Sequence, residues 1–472
     1  MRPPPGTLPP LWDHQWRAIE FVQGLWAQGR YGAMLAMAMG TGKSRAAIEL
    51  AQHFEQGAAL IVCPLRVIEV WRGQFQKFAP DWGFLPLDDR FPSVREKTLA
   101  ARNALERPRF EQTAIAINFD SARVEPFASW ALARVWPLAI LDESHRIKAP
   151  GGRTSLFAAR LGRVSRHRLA LTGTPMAHEP TDIWAQFRFL DPTLLDHAFS
   201  SYRARYAVMG GYFHKEVVGW RDLDKLEADF RQLAFRVDDS VLDLPPEMDQ
   251  ELACELGEEG ARCYREMERE MIAWVRAGEN VTAANAMVKL LRLQQITGGA
   301  LPDPQGEGSL QIDDAKERLL ADLLEDLREP VVVFARFHAD LRAIYRAALR
   351  AGIPCAELSG QRDDLARWKE SEGPSVLAVQ IQAGGVGVDL TKARVAVFYS
   401  LGFSLSDYLQ ARARIRRPPQ ARPCVFYHLK IRDSVDEYVM RAVLARQDLV
   451  DGVLNELKAR KGDSHGVEPL AS

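Results

Sequence analysis

Short apolar runs alternate with amphipathic stretches between Leu11 and about Leu190. The helical intervals include residues 45–54, and short apolar strands separated by such helices are typical of a parallel sheet with crossover helices. This part of the chain therefore predicts an α/β domain. Its predicted strands are Ala33–Met37, Ala58–Val62, Thr113–Ile117, Leu138–Leu141 and Arg168–Leu171.

The alternation stops after Leu190 and returns later in the chain. Helical periodicity and charge dominate residues 191–299, notably in Glu258–Ala277 and Val281–Gln295. The stretch Leu301–Asp314 has the proline, glycine and aspartate content of a loop. A predicted helix, Ala315–Leu327, then precedes a second group of predicted strands, and two α/β units with a helical region between them are expected. The strands of the second group are Val331–Phe334, Ser375–Val379, Val395–Tyr399 and Val425–Leu429.

Composition restricts the partners and the compartment. Lys+Arg (61) and Asp+Glu (62) nearly cancel, so a nucleic-acid site must be a local basic groove. The five cysteines are scattered without a C-x-x-C pair, which indicates no disulfide framework or zinc site and fits a reducing cytosol. The start of the chain lacks the apolar core of a signal peptide, and no apolar run is long enough to span a bilayer. We expect a cytoplasmic protein without membrane contact.

The segment Met39–Ser44 reads M-G-T-G-K-S and lies between a predicted strand and a predicted helix. Gly40 and Gly42 let main-chain N–H groups close around phosphates, and the helix N-terminus adds a favourable dipole. Lys43 would place a charge on the β- and γ-phosphates, and the Ser44 hydroxyl suits Mg²⁺. A surface turn is the alternative, because Met37 occupies the first glycine position of the strict phosphate-loop pattern.

The strand Leu138–Leu141 ends in two acids, Asp142 and Glu143. An aspartate at a strand tip can hold Mg²⁺, and the next carboxylate can orient an attacking water as a general base. An acidic cap on the following helix is the alternative. The apolar strand directly before the pair, in the same α/β domain as Met39–Ser44, favours the catalytic interpretation.

Seven further or extended segments follow one another along the chain: Leu11–Gln15, Met39–Ser44, Val62–Leu65 with Trp71, Asp142–Lys148, Leu171–Pro175, Ala383–Leu390 and Gln410–Gln420. In this order they resemble the motifs of the Swi/Snf-type DNA translocase family of superfamily 2 helicases. The sequence departs from the family pattern at Met37-Ala38, where an acidic pair is usual, at Asp389 in place of asparagine, and at Pro419 in place of glycine.

The resemblance implies two RecA-like parallel-sheet lobes with a helical insertion region between them. The implied divisions are a first ATP-binding lobe over residues 1–190, helical insertions and a linker over 191–312, a second lobe over 313–450, and a C-terminal helix and tail over 451–472. It also implies that Trp71 leads toward DNA and that Arg414 and Arg417 act as arginine fingers. The spacing predicts that Gln410, Arg414 and Arg417 share one helical face.

The resemblance assigns roles to individual residues. The catalytic residues are Lys43, Asp142, Glu143, Arg414 and Arg417, and the metal-holding residues are Ser44 and Asp142. The nucleotide-binding residues are Gln15, at the adenine edge, Met39, Gly40, Thr41, Gly42, Lys43, Ser44, Gly387 and Asp389. The residues coupling ATP state to DNA grip are His145, Thr172, Gly173, Thr174 and Gln410. The nucleic-acid contacts are Arg66, Asn118, Lys148, Phe337, Gly384 and Gly385.

Several of these residues also have an ordinary structural interpretation. The glycines of Ala383–Leu390 fit an ordinary flexible turn, and the arginines of Arg412–Arg417 fit a solvated helix face. His145 fits either a metal ligand or a hydrogen-bonding residue that couples the two sites.

The predicted function is an ATP-dependent, Mg²⁺-requiring motor that moves along double-stranded DNA. We expect a monomer that works with other proteins of a DNA-processing system. A strand-separating DNA or RNA helicase is the enzymatic alternative. A non-catalytic nucleic-acid clamp is the alternative of another class, and the intact Lys43, Asp142, Glu143, Arg414 and Arg417 argue against it.

Overall fold

The computed structural model describes residues 9–54, 57–176, 180–210, 216–277, 283–303, 308–381 and 388–445. The chain divides into two compact units, residues 1–243 and 244–472, and each has its own sheet. Within the described residues, no helix is both long enough and apolar enough to cross a lipid bilayer.

The first unit is built on a parallel seven-stranded sheet of strand order β3-β4-β2-β5-β6-β1-β9, with a separate antiparallel pair, β7 and β8. The strands are β1 Gly32–Met37, β2 Gly57–Cys63, β3 Gly83–Leu87, β4 Gln112–Asn118, β5 Trp136–Asp142, β6 Ser165–Thr172, β7 Ala207–Gly210, β8 Glu216–Trp220 and β9 Ala234–Val237. The helices are α1 Asp13–Ala27, α2 Lys43–Ala51, α3 Val67–Phe78, α4 Val94–Glu106, α5 Phe119–Ala122, α6 Phe127–Leu132, α7 Arg153–Arg163, α8 Asp182–Leu190, α9 Phe199–Tyr206 and α10 Leu223–Arg231, with short 3₁₀ helices at Ser144–Ile147 and Asp239–Val241.

The central strands of this sheet are buried on both faces. Every residue of β1 is buried, as are six of the seven residues of β5. A parallel sheet needs crossover helices on both faces, so its central strands are continuous apolar runs rather than alternating ones. Helix α8 packs so closely that a Cβ on Gly32 would lie 2.2 Å from the Leu190 carbonyl oxygen. Glycine is therefore required where β1 begins.

The second unit is built on a parallel six-stranded sheet of strand order β10-β17-β16-β13-β15-β14 and a small antiparallel hairpin, β11 and β12. The strands are β10 Glu247–Cys254, β11 Ala300–Pro302, β12 Ser309–Gln311, β13 Pro330–Ala335, β14 Cys355–Leu358, β15 Ser375–Gln380, β16 Val395–Phe398 and β17 Cys424–Ile431. The helices are α11 Glu258–Ala277, α12 Ala283–Thr297, α13 Ala315–Leu327, α14 His338–Arg350, α15 Leu365–Glu370, α16 Leu405–Arg412 and α17 Val435–Ala445.

Strand β13 shows how this unit forms two cores. Val332 and Phe334 enter one apolar cluster, while Val331 and Val333 enter another on the opposite face. Successive side chains of a strand point to opposite faces, so one apolar run serves both cores. The two parallel sheets confirm the predicted α/β fold class with two parallel-sheet lobes.

The stretch 191–312 contains strands that the sequence did not predict. Strand β9 joins the sheet of the first unit beside β1, and β10 joins that of the second beside β17. The predicted loop Leu301–Asp314 contains most of the β11–β12 hairpin. Strand β9 has only four residues, and most of β10 is exposed at a sheet edge, so neither carries an apolar run to mark it. This stretch thus contributes to both units.

Candidate nucleotide and nucleic-acid site

The sheet order of the first unit brings the predicted motifs to one edge. Strands β5, β6 and β1 are neighbours and parallel, with Asp142 opposite Leu171 and Ala36 opposite Thr172. Their carboxyl ends therefore lie side by side. Asp142 ends β5 and Glu143 follows it, Gly173 and Thr174 follow β6, and the phosphate-loop segment follows β1. Crevices at the carboxyl ends of parallel strands are the usual ligand sites of open α/β sheets.

The phosphate-loop segment has the backbone that the glycines predicted. Gly40 and Gly42 have φ angles of 82° and 83°, in the left-handed region that favours glycine. Lys43 opens α2, and its ammonium donates to the carbonyl oxygens of Met37 (2.8 Å) and Ala38 (3.2 Å). The amine thus lies over the loop, where it can reach phosphate oxygens. Met39 and Ser44 are half-buried beside these residues.

Two side chains of helix α1 hold this loop by hydrogen bonds to the main chain of Thr41. His14 Nε2 donates to the Thr41 carbonyl oxygen at 2.8 Å, and Gln15 Nε2 donates to the same oxygen at 3.1 Å. Gln15 Oε1 also accepts from the Trp12 N–H at 3.0 Å. A Cβ on Gly42 would lie 2.0 Å from Gln15 Nε2, so a side chain at position 42 would displace this amide as well as strain the backbone. The amide of Gln15 thus clamps the loop, and its role at the adenine edge stays a prediction.

The acid pair is buried, and both oxygens of the Asp142 carboxylate accept hydrogen bonds. Asp142 Oδ2 accepts from the Trp71 indole N–H at 2.8 Å, and Oδ1 accepts from the Glu143 N–H at 3.0 Å. Burial and the neighbouring Glu143 charge raise the pKa of Asp142 to about 6. The Trp71 side chain is fully buried and its N–H donates to Asp142, so the side chain itself is not placed to contact DNA, contrary to what the resemblance implied.

Glu143 has a φ of 54°, an uncommon backbone state for a residue with a side chain. Such a conformation costs on the order of 1–3 kcal/mol and is concentrated at functional sites. Its Oε2 is buried and makes no hydrogen bond among the described residues, with His145 Nδ1 3.4 Å away. A buried carboxylate oxygen with unused acceptor capacity suits a base that receives a proton from water.

Four of the residues predicted to couple ATP state to DNA grip connect the acid pair to the end of strand β6. They are His145, Thr172, Gly173 and Thr174. His145 Nδ1 lies 3.4 Å from Thr172 Oγ1, which also accepts from the Thr174 N–H at 3.1 Å. A Cβ on Gly173 would contact the Met37 carbonyl oxygen and the Met39 side chain at 3.5 Å. The segment after β6 therefore contacts both the acid motif and the phosphate loop.

A second link to the same segment was missed by the sequence reasoning. Ser144 Oγ donates to Gln186 Oε1 at 2.7 Å, and Gln186 Nε2 donates to the Pro175 carbonyl oxygen at 2.8 Å. Gln186 is fully buried on α8. A glutamine within the apolar stretch D-I-W-A-Q-F was the available signal, because a buried amide needs polar partners.

The predicted nucleic-acid contacts of the first unit lie at the same sheet edge. Arg66 precedes α3 just after β2, Asn118 ends β4, and Lys148 follows the 3₁₀ helix after β5. Asn118 Oδ1 is buried without a hydrogen-bond partner among the described residues. Two cations and an amide therefore flank the phosphate loop and the acid pair.

Phe337 of the second unit lies at a cavity of about 430 Å³ where β13 ends. The guanidinium of Arg336 stacks over the Phe403 ring, 4.4 Å from its centroid, which fixes it at the rim. Basic and amide side chains dominate the polar lining, so the cavity suits a phosphate-bearing chain. They are Gln295, Arg336, His338, Arg342, Gln361 and Gln380, and Ser309 and the buried Asp340 complete the polar lining.

The prediction that Gln410, Arg414 and Arg417 share one helical face is wrong. Helix α16 ends at Arg412, and Arg414 then lies in a turn and Arg417 in a bend. The Arg414 carbonyl oxygen accepts from the Leu390 N–H at 3.1 Å instead of continuing the helix. Two prolines follow Arg417, and the residue before a proline is disfavoured in helical conformation. Gln410 is buried in α16, Arg414 is buried and Arg417 is half-buried.

The other arginines of this run hold the sheet edge. Arg412 pairs with Glu247 at 2.8 Å and with Asp249, and Arg416 donates to the Pro245 carbonyl oxygen at 2.9 Å. Both thus anchor β10 and its approach, so a solvated face does not describe them.

The nucleotide-binding and DNA-contact assignments in Ala383–Leu390 are described only in part. Asp389 Oδ1 accepts from the N–H and hydroxyl of Thr391, which closes a turn. Gly384, Gly385 and Gly387 lie outside the described residues.

Family models account for most of the chain. Residues 14–298 match the SNF2-related domain, which is more than half of the sequence. The chain belongs to the SNF2-related family. Residues 315–418 of this SNF2-related protein match the helicase conserved C-terminal domain.

Similar proteins come from bacteria, a phage and yeast. An uncharacterised ATP-dependent helicase of Mycoplasma genitalium is 22% identical, and the alignment covers 94% of this chain and 42% of the relative. The DNA repair and recombination protein RDH54 of Saccharomyces cerevisiae is 23% identical over 86% of this chain and 47% of its own length. The SNF2-related chain thus spans less than half of these relatives.

A shorter relative and a solved structure match over nearly their whole length. The putative protein p41 of Acyrthosiphon pisum secondary endosymbiont phage 1 is 25% identical, covering 89% of this chain and 94% of p41. The Sulfolobus solfataricus SWI2/SNF2 ATPase core in complex with double-stranded DNA is similar with a TM-score of 0.44 and 20% identity, covering 97% of this chain and 95% of that one.

Proposed function

We propose that this SNF2-related protein hydrolyses ATP and uses the energy to move along or remodel double-stranded DNA. The observation that carries the proposal is the convergence of three motifs on adjacent strand ends. Strands β1, β5 and β6 bring together a glycine-shaped loop with Lys43, a buried acid pair, and Thr172–Thr174. Nucleotide hydrolysis needs phosphate binding, a metal-holding acid and a base in one place.

The residues of the first unit have separable tasks in this reaction. The main-chain N–H groups of the loop and the Lys43 ammonium bind the β- and γ-phosphates. Glu143 orients a water and accepts its proton at the buried Oε2. Arg414 and Arg417 of the second unit are proposed to stabilise charge on the transferred phosphoryl group. An arginine finger contributes roughly 10³–10⁵ in rate where measured.

The residues present also fit a magnesium ion. Asp142 has both carboxylate oxygens fixed by N–H donors, and each oxygen keeps a lone pair for a metal-bound water or the metal itself. Ser44 provides a hydroxyl in the first turn of α2. When bound there, Mg²⁺ would neutralise charge on the β- and γ-phosphates.

DNA is the partner that the charged and amide side chains support. Arg66, Asn118 and Lys148 flank the catalytic edge of the first unit, and the cavity beside Phe337 has a basic rim in the second. Contacts of this kind bind phosphates and carry little sequence information. The proposed motor therefore tracks the backbone, with weak sequence preference.

The coupling contacts supply a path between hydrolysis and grip. His145 and Ser144 follow the acid pair directly, and both lead to the segment Thr172–Pro175, through Thr172 and through Gln186. If a residue of the acid motif moves on hydrolysis, these hydrogen bonds would transmit the displacement to Thr172–Pro175. We propose that this contact set coordinates the nucleotide state with DNA binding.

A substrate panel tests the proposed function. ATP turnover is measured with duplex DNA, single-stranded DNA and RNA, alongside displacement of a third strand from a triplex and separation of a plain duplex. Duplex-stimulated turnover with triplex displacement and an intact duplex is the expected result. Separation of the duplex, or stimulation by RNA alone, would indicate the helicase alternative, and absence of turnover would indicate a clamp.

A further inference from the structure

We propose that Trp71 is a positioning residue for Asp142: its indole N–H holds the carboxylate in the orientation that a nucleotide-bound magnesium ion requires. The proposal rests on the ATPase function proposed above and deepens it. It gives a structural residue of α3 a defined task in the reaction, one exerted through another side chain.

The contact is short, buried and aimed at a charge. Trp71 Nε1 lies 2.8 Å from Asp142 Oδ2; the tryptophan is fully buried, and the aspartate is 6% exposed. The indole N–H can only donate, and a donor facing a carboxylate makes a stronger hydrogen bond than one facing a neutral acceptor. Trp136 shows the neutral arrangement, since its Nε1 donates to the Ala131 carbonyl oxygen at 2.9 Å.

The fold fixes the indole independently of the aspartate. Strand β2 pairs with β5 so that Val62 lies opposite Leu141, and α3 begins at Val67, shortly after β2 ends. Trp71 therefore approaches the end of β5 from the neighbouring strand connection. Phe75, one turn later, packs against its ring with centroids 6.1 Å apart. Because packing sets the ring, the N–H direction is set before any metal binds.

Two donors together define the plane of the carboxylate. The Glu143 N–H bonds to Oδ1 at 3.0 Å, while Trp71 bonds to Oδ2. With one donor removed, the carboxylate can rotate about its χ2 bond and loses a fixed orientation. Residues that orient a metal-holding group typically change metal affinity or activity by about 10- to 100-fold when mutated.

The test is the magnesium dependence of ATP hydrolysis in Trp71→Phe, which keeps an aromatic ring and removes the N–H. Trp136→Phe is the matched control, because it removes the same atoms at the opposite end of β5. We expect the half-saturating Mg²⁺ concentration to rise about tenfold or more in Trp71→Phe and to change less than about twofold in Trp136→Phe. An unchanged magnesium curve in Trp71→Phe, or an equal shift in both variants, would overturn the proposal.

A second measurement does not depend on turnover. The affinity for ADP is compared with Mg²⁺ and with a chelator in wild type, Trp71→Phe, Asp142→Asn and the double variant. Trp71→Phe should reduce the tightening by Mg²⁺ and leave the chelated affinity unchanged. It should add nothing in the Asp142→Asn background, because the two residues act as one unit. Independent effects that multiply in the double variant would contradict the proposal.

Folding and function are separated in the same experiments. If Trp71→Phe does not fold, benzothienylalanine at position 71 keeps the full ring shape without an N–H, and the same magnesium shift is expected. A normal magnesium dependence in that variant would also overturn the proposal. Absence of ATP turnover in the wild-type chain would refute the proposed function, whereas the ADP cycle would still decide the role of Trp71.

Discussion

Replacing Asp340 by asparagine should stabilise the second unit in a pH-dependent way. Asp340 is buried at the start of α14, where its Oδ2 accepts from the Ser400 hydroxyl at 2.5 Å and the Phe337 N–H at 3.2 Å. Burial raises its pKa from 3.8 to about 6, although these hydrogen bonds lower it in part. The native state therefore binds a proton more tightly than the unfolded chain does.

The sign and size of the change in the free energy of unfolding follow from this pKa. The cost of the buried charge is absent below pH 3.8, grows as pH rises toward 6, and is complete above that. A displacement of this size corresponds to about 3 kcal/mol in the free energy of unfolding. An asparagine oxygen can accept the same two hydrogen bonds without the charge. The advantage of Asp340→Asn over wild type should thus grow by about 2 kcal/mol between pH 4 and pH 7, because a small part of the cost is already present at pH 4.

The stability of this unit is measured by urea titration of the full chain, in which hydrogen exchange of peptides covering Pro330–Ala335 is the signal that is monitored. Asp322→Asn on α13 is the control, because Asp322 is exposed, and its effect should be small at every pH. A difference between Asp340→Asn and wild type that is the same at pH 4 and pH 7 would refute the reasoning.

Three further predictions concern the proposed motor. Lys43→Ala should weaken ATP binding and lower turnover by roughly a hundredfold or more, measured by nucleotide titration and steady-state hydrolysis, because charge on the β- and γ-phosphates is lost; unchanged ATP affinity would contradict the phosphate-binding role. Arg417→Lys should be severely impaired at saturating duplex DNA, since lysine keeps the charge but not the planar fork; near-normal turnover there would rule out the arginine finger. DNA affinity should fall steeply with added salt, on a log–log plot with a slope of roughly −0.9 per phosphate contacted; a flat salt dependence would argue against backbone tracking.

The sequence was enough to predict which segments of the first unit follow neighbouring parallel strands, because these signals are local. Each motif directly follows an apolar run, and parallel pairing places the ends of β1, β5 and β6 together. The glycines at positions 40 and 42 predict a left-handed backbone by residue type alone, and both have it.

Contacts that depend on tertiary packing were not predictable from the pattern. Trp71 and Gln186 meet the acid motif from other elements, and a buried apolar pattern does not show where one polar atom points. The spacing of Gln410, Arg414 and Arg417 also gave a wrong prediction of a shared helical face. The helix ends at Arg412, and the Arg414 carbonyl oxygen accepts from the Leu390 N–H, a contact that the spacing does not show. Strand β10 stayed hidden because its ion pairs, such as Glu247 with Arg412, replace the usual apolar alternation.

The most direct measurement of the central claim is ATP hydrolysis by Glu143→Gln, with and without duplex DNA, beside the wild-type chain. Glutamine keeps the shape of the side chain but removes the basic carboxylate. We predict that duplex DNA stimulates the wild-type protein, and that Glu143→Gln binds ATP normally with turnover reduced about a hundredfold or more. A Glu143→Gln variant that turns over ATP at nearly the wild-type rate, or a wild-type rate indifferent to DNA, would contradict the account.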